Sequence, residues 1–119
     1  MADQIVERGG VPVLVCDAEG APIAGPQDAL DLIGAAYAGA EVVAIPAERL
    51  HASFYRLSTG VAGEIMQKFV NYRIRLAVVG DISAHVAESG ALRDLIRETN
   101  KGKQVWFVKD FQELDERLG

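Results

Sequence analysis

The stretch LSTGVAGEIMQKFVNYRIRLAVVGD, Leu57 to Asp81, decides the architecture. Val61, Ala62, Ile65, Met66, Phe69 and Val70 recur at the three- and four-residue steps of one helical face, while Glu64, Gln67, Lys68 and Asn71 take the other. Glu64 and Lys68 have the spacing and order of a surface ion pair. The next run, Ile74 to Val79, is wet at Arg75 and then unbroken and apolar from Leu76 to Val79. A strand without alternation is buried on both faces, as in a parallel sheet covered by helices. Ser58-Thr59-Gly60 stands before the helix, so the spacing predicts a helix start near Ser58 at one rim of that sheet.

On the N-terminal side, Ile5 to Glu7 and Val11 to Cys16 read as two short strands joined by a tight turn at Gly9-Gly10. Gly25-Pro26 starts a helix whose apolar stripe is Ala29, Leu30, Leu32, Ile33, Ala36 and Tyr37, and Gly39 ends it. Val42 to Ile45 is an all-apolar strand stopped by Pro46, and AERLHASFYR after it reads as loop or a single turn. On the C-terminal side, Ala91, Leu92, Leu95 and Ile96 mark a helix capped by Ser89, with a polar exit from Asn100 to Lys103 that contains Gly102. Val105 to Val108 is the last strand. Asp110 and Glu113 have capping-box spacing before a helix that turns Phe111, Leu114 and Leu118 inward. Hairpin, helix, strand, helix, strand, helix, strand, helix calls for an α/β domain with a mostly parallel sheet and right-handed crossovers.

One domain is expected from 119 residues, with no linker, repeat or low-complexity segment. Half of the residues are hydrophobic and 24% are charged, which is globular composition. A formal charge of −5 argues against nucleic acid and against an anionic membrane surface, since both demand a concentrated positive field. Cys16 is the single cysteine, so the chain has no internal disulfide and no cysteine cluster for a metal. MADQIVERGG lacks a basic start and apolar stretch, and no apolar run reaches the roughly 18 residues of a membrane helix. A cytoplasmic protein without metal or cofactor is the expectation.

At Ser58, Thr59 and Gly60 the first N–H groups of a helix lack partners, so a hydroxyl caps them and an oxyanion would be held by the same donors. Arg56 is placed to face such an anion, and a phosphoryl group on Ser58 would sit in that field. The plain reading is an N-cap, with Gly60 and Gly63 letting the helix approach the sheet closely. No P-loop or Rossmann spacing accompanies these glycines. Asp81, Ser83 and His85 follow Gly80 at the carboxyl end of a strand, where open α/β sheets place ligand crevices. Asp81 and His85 alone make no metal site, and capping of the following turn accounts for the aspartate. His51 carries no signature tying it to Ser58 as base and nucleophile. Tyr55, Arg56, Tyr72 and Trp106 are too unevenly spaced for a base-stacking platform.

The segment VVAIPAERLHASFYRLSTGVAGEIMQKFVNYRIRLAVVG resembles the STAS fold of sulfate transporters and anti-sigma-factor antagonists (the SpoIIAA-like fold), and the element order extends the resemblance to the initial hairpin. In that fold an Asp-Ser-Ser/Thr-Gly turn opens the helix. Here Leu57 stands for the aspartate, which weakens the implied kinase-controlled switch and leaves Ser58, then Thr59, as the modified hydroxyl. LSTGVAGEIMQKFVNYRIRLAVVGDIS and NKGKQVWFV are more closely similar to a bacterial family of unknown function, number 4180 (DUF4180), over nearly the whole chain.

The STAS resemblance implies a noncatalytic regulatory module that binds a protein partner, switched by phosphorylation or anion binding at Ser58. The alternative is a crevice beside Ser58, Asp81 and Ser83 that takes a small anionic metabolite or nucleotide. A dedicated enzyme ranks third, as no triad, metal motif or acid–base pair is legible and no catalytic residue is named. An exposed apolar face would make a homodimer, though the sequence does not say which face.

Overall fold

The computed structural model describes residues 3–119; Met1 and Ala2, part of the opening read for a leader, lie outside the described residues. β1 (Gln4–Arg8) and β2 (Val11–Val15) form the expected antiparallel hairpin. Its two-residue turn has Gly9 at φ 57° and Gly10 at φ 81°, the left-handed pair that matches strand twist. Then follow α1 (Pro26–Ala36), β3 (Val42–Pro46), α2 (Val61–Tyr72), β4 (Arg75–Val79), α3 (Ser83–Glu88), α4 (Gly90–Lys101), β5 (Val105–Val108) and α5 (Phe111–Leu118).

The sheet runs β1-β2-β3-β4-β5, parallel from β2 onward. Every parallel step goes the same way, so crossovers of one hand must lay their helices on one face. Leu14, Val43, Ile45, Leu76, Val78, Val105 and Phe107 accordingly bury themselves on that side with Ala29, Leu32 and Ile33 of α1, Ile65 and Phe69 of α2, and Leu92 of α4. The alternate residues Val13, Val42, Ala44, Ala77, Val79, Trp106 and Val108 line the opposite face under Leu114, Phe111 and Leu118 of α5. The unbroken apolar run of β4 is thus explained by burial on both sides.

Alpha5 is the helical cover of the second face, and polar contacts fasten its start and its middle. Asp110 Oδ1 accepts the Glu113 N–H at 2.9 Å, and Glu113 Oε1 reaches back to the Lys109 N–H at 2.9 Å, a capping box displaced by one residue. Arg8 grips Asp115 through two nitrogens at 2.7 and 3.0 Å and lies 4.6 Å from the Phe111 ring centroid, tying the edge strand to the helix. The outer edge of β5 is covered where the Asn100 amide donates to the Phe107 carbonyl and accepts its N–H, at 3.2 and 2.8 Å.

Several expectations are corrected. The segment after β3 is three successive 3-10 turns, Ala47–Arg49, Ala52–Tyr55 and Leu57–Thr59, and α3 is an additional short helix. Alpha2 begins at Val61, with Gly60 as its cap at φ 79°, because the 57–59 turn uses up the residues expected to open the helix. Tyr37 and Val70 are exposed rather than turned inward; the Tyr37 hydroxyl donates to the Tyr72 carbonyl at 2.8 Å. Glu64 and Lys68 form no ion pair among the described residues, and on that face Gln67 donates to Asn71 at 2.8 Å. Close packing does not explain Gly60 or Gly63, since a Cβ built at either meets nothing within 4 Å.

Phe69 is fully buried at the junction of α2 with the sheet. Phe69→Ala is expected to lower the unfolding free energy by about 3–5 kcal/mol in a denaturant titration. Gly63→Ala is expected to raise it, by about 1 kcal/mol or less, because the site is open and helical. A loss of stability for Gly63→Ala would mean that the glycine serves a contact made within the fold.

Candidate functional site

The carboxyl ends of β3 and β4 feed adjacent connections, residues 47–60 and 80–89, and a cleft of about 440 Å³ lies between them. In open α/β sheets this edge is the ordinary place for a ligand. One wall is built from the 3-10 turns, which bring Arg56 and Ser58 to its surface; the other carries His85 and Glu88 of α3 and Ser89 between α3 and α4.

Local bonds shape the first wall. His51 Nδ1 accepts the Ser53 N–H at 3.1 Å and starts the middle turn, so this exposed histidine is a loop cap, apart from the cleft. Thr59 Oγ1 lies 2.8 Å from the carbonyls of both Ser53 and Arg56 and accepts the Val61 N–H at 3.2 Å. The hydroxyl that reaches the start of α2 therefore belongs to Thr59. Ser58 caps nothing there, being one residue earlier on a tight turn that points it elsewhere, and it is exposed at the cleft. The Arg56 guanidinium is exposed and makes no hydrogen bond or ion pair among the described residues.

Tyr55 joins the walls. Its ring stacks on His85 with centroids 4.0 Å apart and planes 7° from parallel, and its buried hydroxyl donates to the Ala47 carbonyl at 2.7 Å. Burial, with a smaller push from the Glu48 charge, raises the phenol well above its ordinary value, so it stays a neutral donor. Ser89 Oγ accepts the Leu92 N–H at 3.1 Å and caps α4, as its spacing predicts. His85 makes no hydrogen bond to Ser58, Ser89 or Glu88 among the described residues.

The expected crevice residues divide. His85 shares the cleft with Arg56 and Ser58, whereas Asp81 and Ser83 line a separate depression at the ends of β4 and β5 with Asn100, Lys109 and Glu113. The single crevice read beside Ser58, Asp81 and Ser83 is thus two. Short helix α3 lies between them, with His85 and Glu88 in the first and Ser83 and Val86 in the second. Asp81 Oδ1 accepts the Ser83 N–H at 2.9 Å. Among the described residues no three His, Cys, Asp or Glu side chains converge as a metal site, and no helix is long and apolar enough to cross a membrane. Cys16 is buried, and burial chiefly, with the Asp3 charge, pushes its thiol up to about 12 against a smaller lowering by Arg49.

Glu88, Ser89 and Tyr55 are the polar cleft residues that residue patterns did not nominate as a site. Ser89 is legible as a cap and Tyr55 only as an aromatic too unevenly spaced for base stacking; nothing in the sequence couples Glu88 or Ser89 to Arg56, because they stand on the other of two loops.

The family model described as Domain of unknown function (DUF4180) matches residues 8–118. The chain belongs to the DUF4180 family. That match takes in both connections around the cleft and all but the first strand's opening residues of this DUF4180 fold. No curated protein and no solved structure matches the chain.

The two Ser83 hydrogen bonds to Asp81, backbone first and hydroxyl second, hold its carboxyl below the usual carboxylate range. A folded-state pKa below the unfolded one stabilises above the unfolded value, near 4, and that contribution fades as pH falls through the folded value. Asp81→Ala is expected to melt lower than wild type at neutral pH, with the gap closing in acid below about pH 4. A gap that persists unchanged in acid would remove the carboxylate from the account.

Proposed function

We propose that this domain is a noncatalytic regulatory module with a STAS-like fold, which binds a protein partner through the 52–59 turns and the adjoining surface of α2. Phosphorylation of Ser58, or an anion bound beside it, switches that binding. The observation that carries the reading is the exposed Ser58 hydroxyl in the lining of the cleft, with the Arg56 guanidinium, unpaired among the described residues, in the same wall. A phosphoryl group adds about −1.5 to −2 charge and three acceptor oxygens. Arg56 offers the planar fork that takes such oxygens, while Glu88 in the other wall opposes them. Modification would therefore rearrange the loop surface as well as recharge it.

The STAS-like part of the reading is supported by the hairpin followed by βα steps in sequential order, with α1, α2 and α4 on one face. The corrected helix start moves the anion's expected donors from the α2 terminus to Arg56 and the 3-10 turn. A small anionic ligand in the cleft is the second reading, favoured by the volume of about 440 Å³ beside a cation that is unpaired among the described residues.

The deciding experiment is affinity purification from the native host with wild type, Ser58→Ala and Ser58→Glu, bound proteins being quantified by mass spectrometry. A stoichiometric partner held by wild type and alanine, and reduced about tenfold or more by glutamate, is the expected result. Equal recovery with all three variants, or no partner at all from folded protein, overturns the switch.

A further inference from the structure

The cleft carries a cationic side chain, Arg56, on one wall and an acidic one, Glu88, on the other. Both side chains are exposed, and neither pairs with the other or with any charge among the described residues. Two opposite charges that share a cleft without neutralising each other are poorly suited to a simple anion: Arg56 would attract it and Glu88 repel it. An occupant carrying both signs, spaced apart, satisfies both walls at once.

We propose that the cleft binds a small zwitterion with a carboxylate and an ammonium group, the chemistry of a free amino acid or a short peptide. The carboxylate pairs with the Arg56 guanidinium in fork geometry, and the ammonium donates to the Glu88 carboxylate. Ser58 and Ser89 add hydroxyls within the same cleft, and the Tyr55–His85 stack supplies a rigid planar section of its lining, with a 4.0 Å centroid separation. The volume of about 440 Å³ leaves room for a side chain beyond the two charged ends. The overall charge of −5 gives no long-range attraction for anions, so selection rests on these local groups.

This inference rests on the small-ligand reading and replaces its simple anion with a zwitterion; its test uses unmodified protein and no partner, so its failure is distinguishable from failure of the switch at Ser58. Thermal unfolding and calorimetry are run with the proteinogenic amino acids and dipeptides made from them, each beside its N-acetylated and C-amidated form, and with inorganic phosphate. A zwitterion is expected to raise the melting temperature, since binding to the native state alone stabilises it. Acetylation, amidation, Arg56→Gln and Glu88→Gln are each expected to weaken that binding about tenfold or more. Both substitutions lie at exposed positions, and an unchanged melting temperature without ligand verifies their folding.

Absence of any shift across the panel overturns the proposal. Binding of phosphate or an acetylated carboxylate as tight as that of the parent zwitterion, unaltered by Glu88→Gln, overturns it in favour of a plain anion site. Zwitterion binding that ignores both substitutions places the ligand elsewhere and also overturns it. None of these outcomes bears on partner release by Ser58→Glu.

Discussion

Because every parallel strand is added on the same side of its predecessor, the helices of the three crossovers must share one face of the sheet. Burial of the other face then depends on whatever follows the last strand. In this chain that is the eight-residue α5, whose Leu114 is fully buried and whose flanking Phe111 and Leu118 extend the cover. So short a helix has little stability of its own in water. Its capping box and the two-pronged Arg8 contact with Asp115 compensate for that, and the latter links the first strand to the last helix.

The same constraint locates the cleft. A doubly wound sheet opens a crevice where strand order reverses. No reversal occurs here, so the opening arises between neighbouring connections, and its walls depend on how the 47–60 and 80–89 segments fold back. Three 3-10 turns stiffen the first segment through His51, Thr59 and the Tyr55 hydroxyl. Stacking of Tyr55 on His85 connects it to the second. The result is a partly rigid frame bearing two charged groups, Arg56 and Glu88, that have no hydrogen-bond or ion-pair partner among the described residues and on which the functional readings rest.

Hydrophobic period and turn chemistry made most of the fold legible. The α2 face, the double burial of β4, the Gly9-Gly10 turn, the Ser89 cap and the Asp110–Glu113 box all follow from interactions within a few residues, whose energetics the local sequence carries. Boundaries failed where local rules compete. Ser58-Thr59-Gly60 satisfies the composition of a helix start, yet a 3-10 turn and the positive φ of Gly60 shift the start to Val61 and give the capping part to Thr59.

The sequence by itself determined the α/β class, the five strands and the longer helices, most of their apolar faces and the family, because these depend on short-range periodicity and on motifs read along the chain; α3, the 3-10 turns and the outward Tyr37 and Val70 escaped it. Tertiary structure alone decided that His85 meets Tyr55, that Glu88 shares a cleft with Arg56, and that Asp81 and Ser83 belong to a different depression. Those relations join side chains roughly thirty residues apart through the path of two loops. Loop paths are set by hydrogen bonds to distant backbone and by packing against the finished sheet, and no spacing rule in the sequence encodes them.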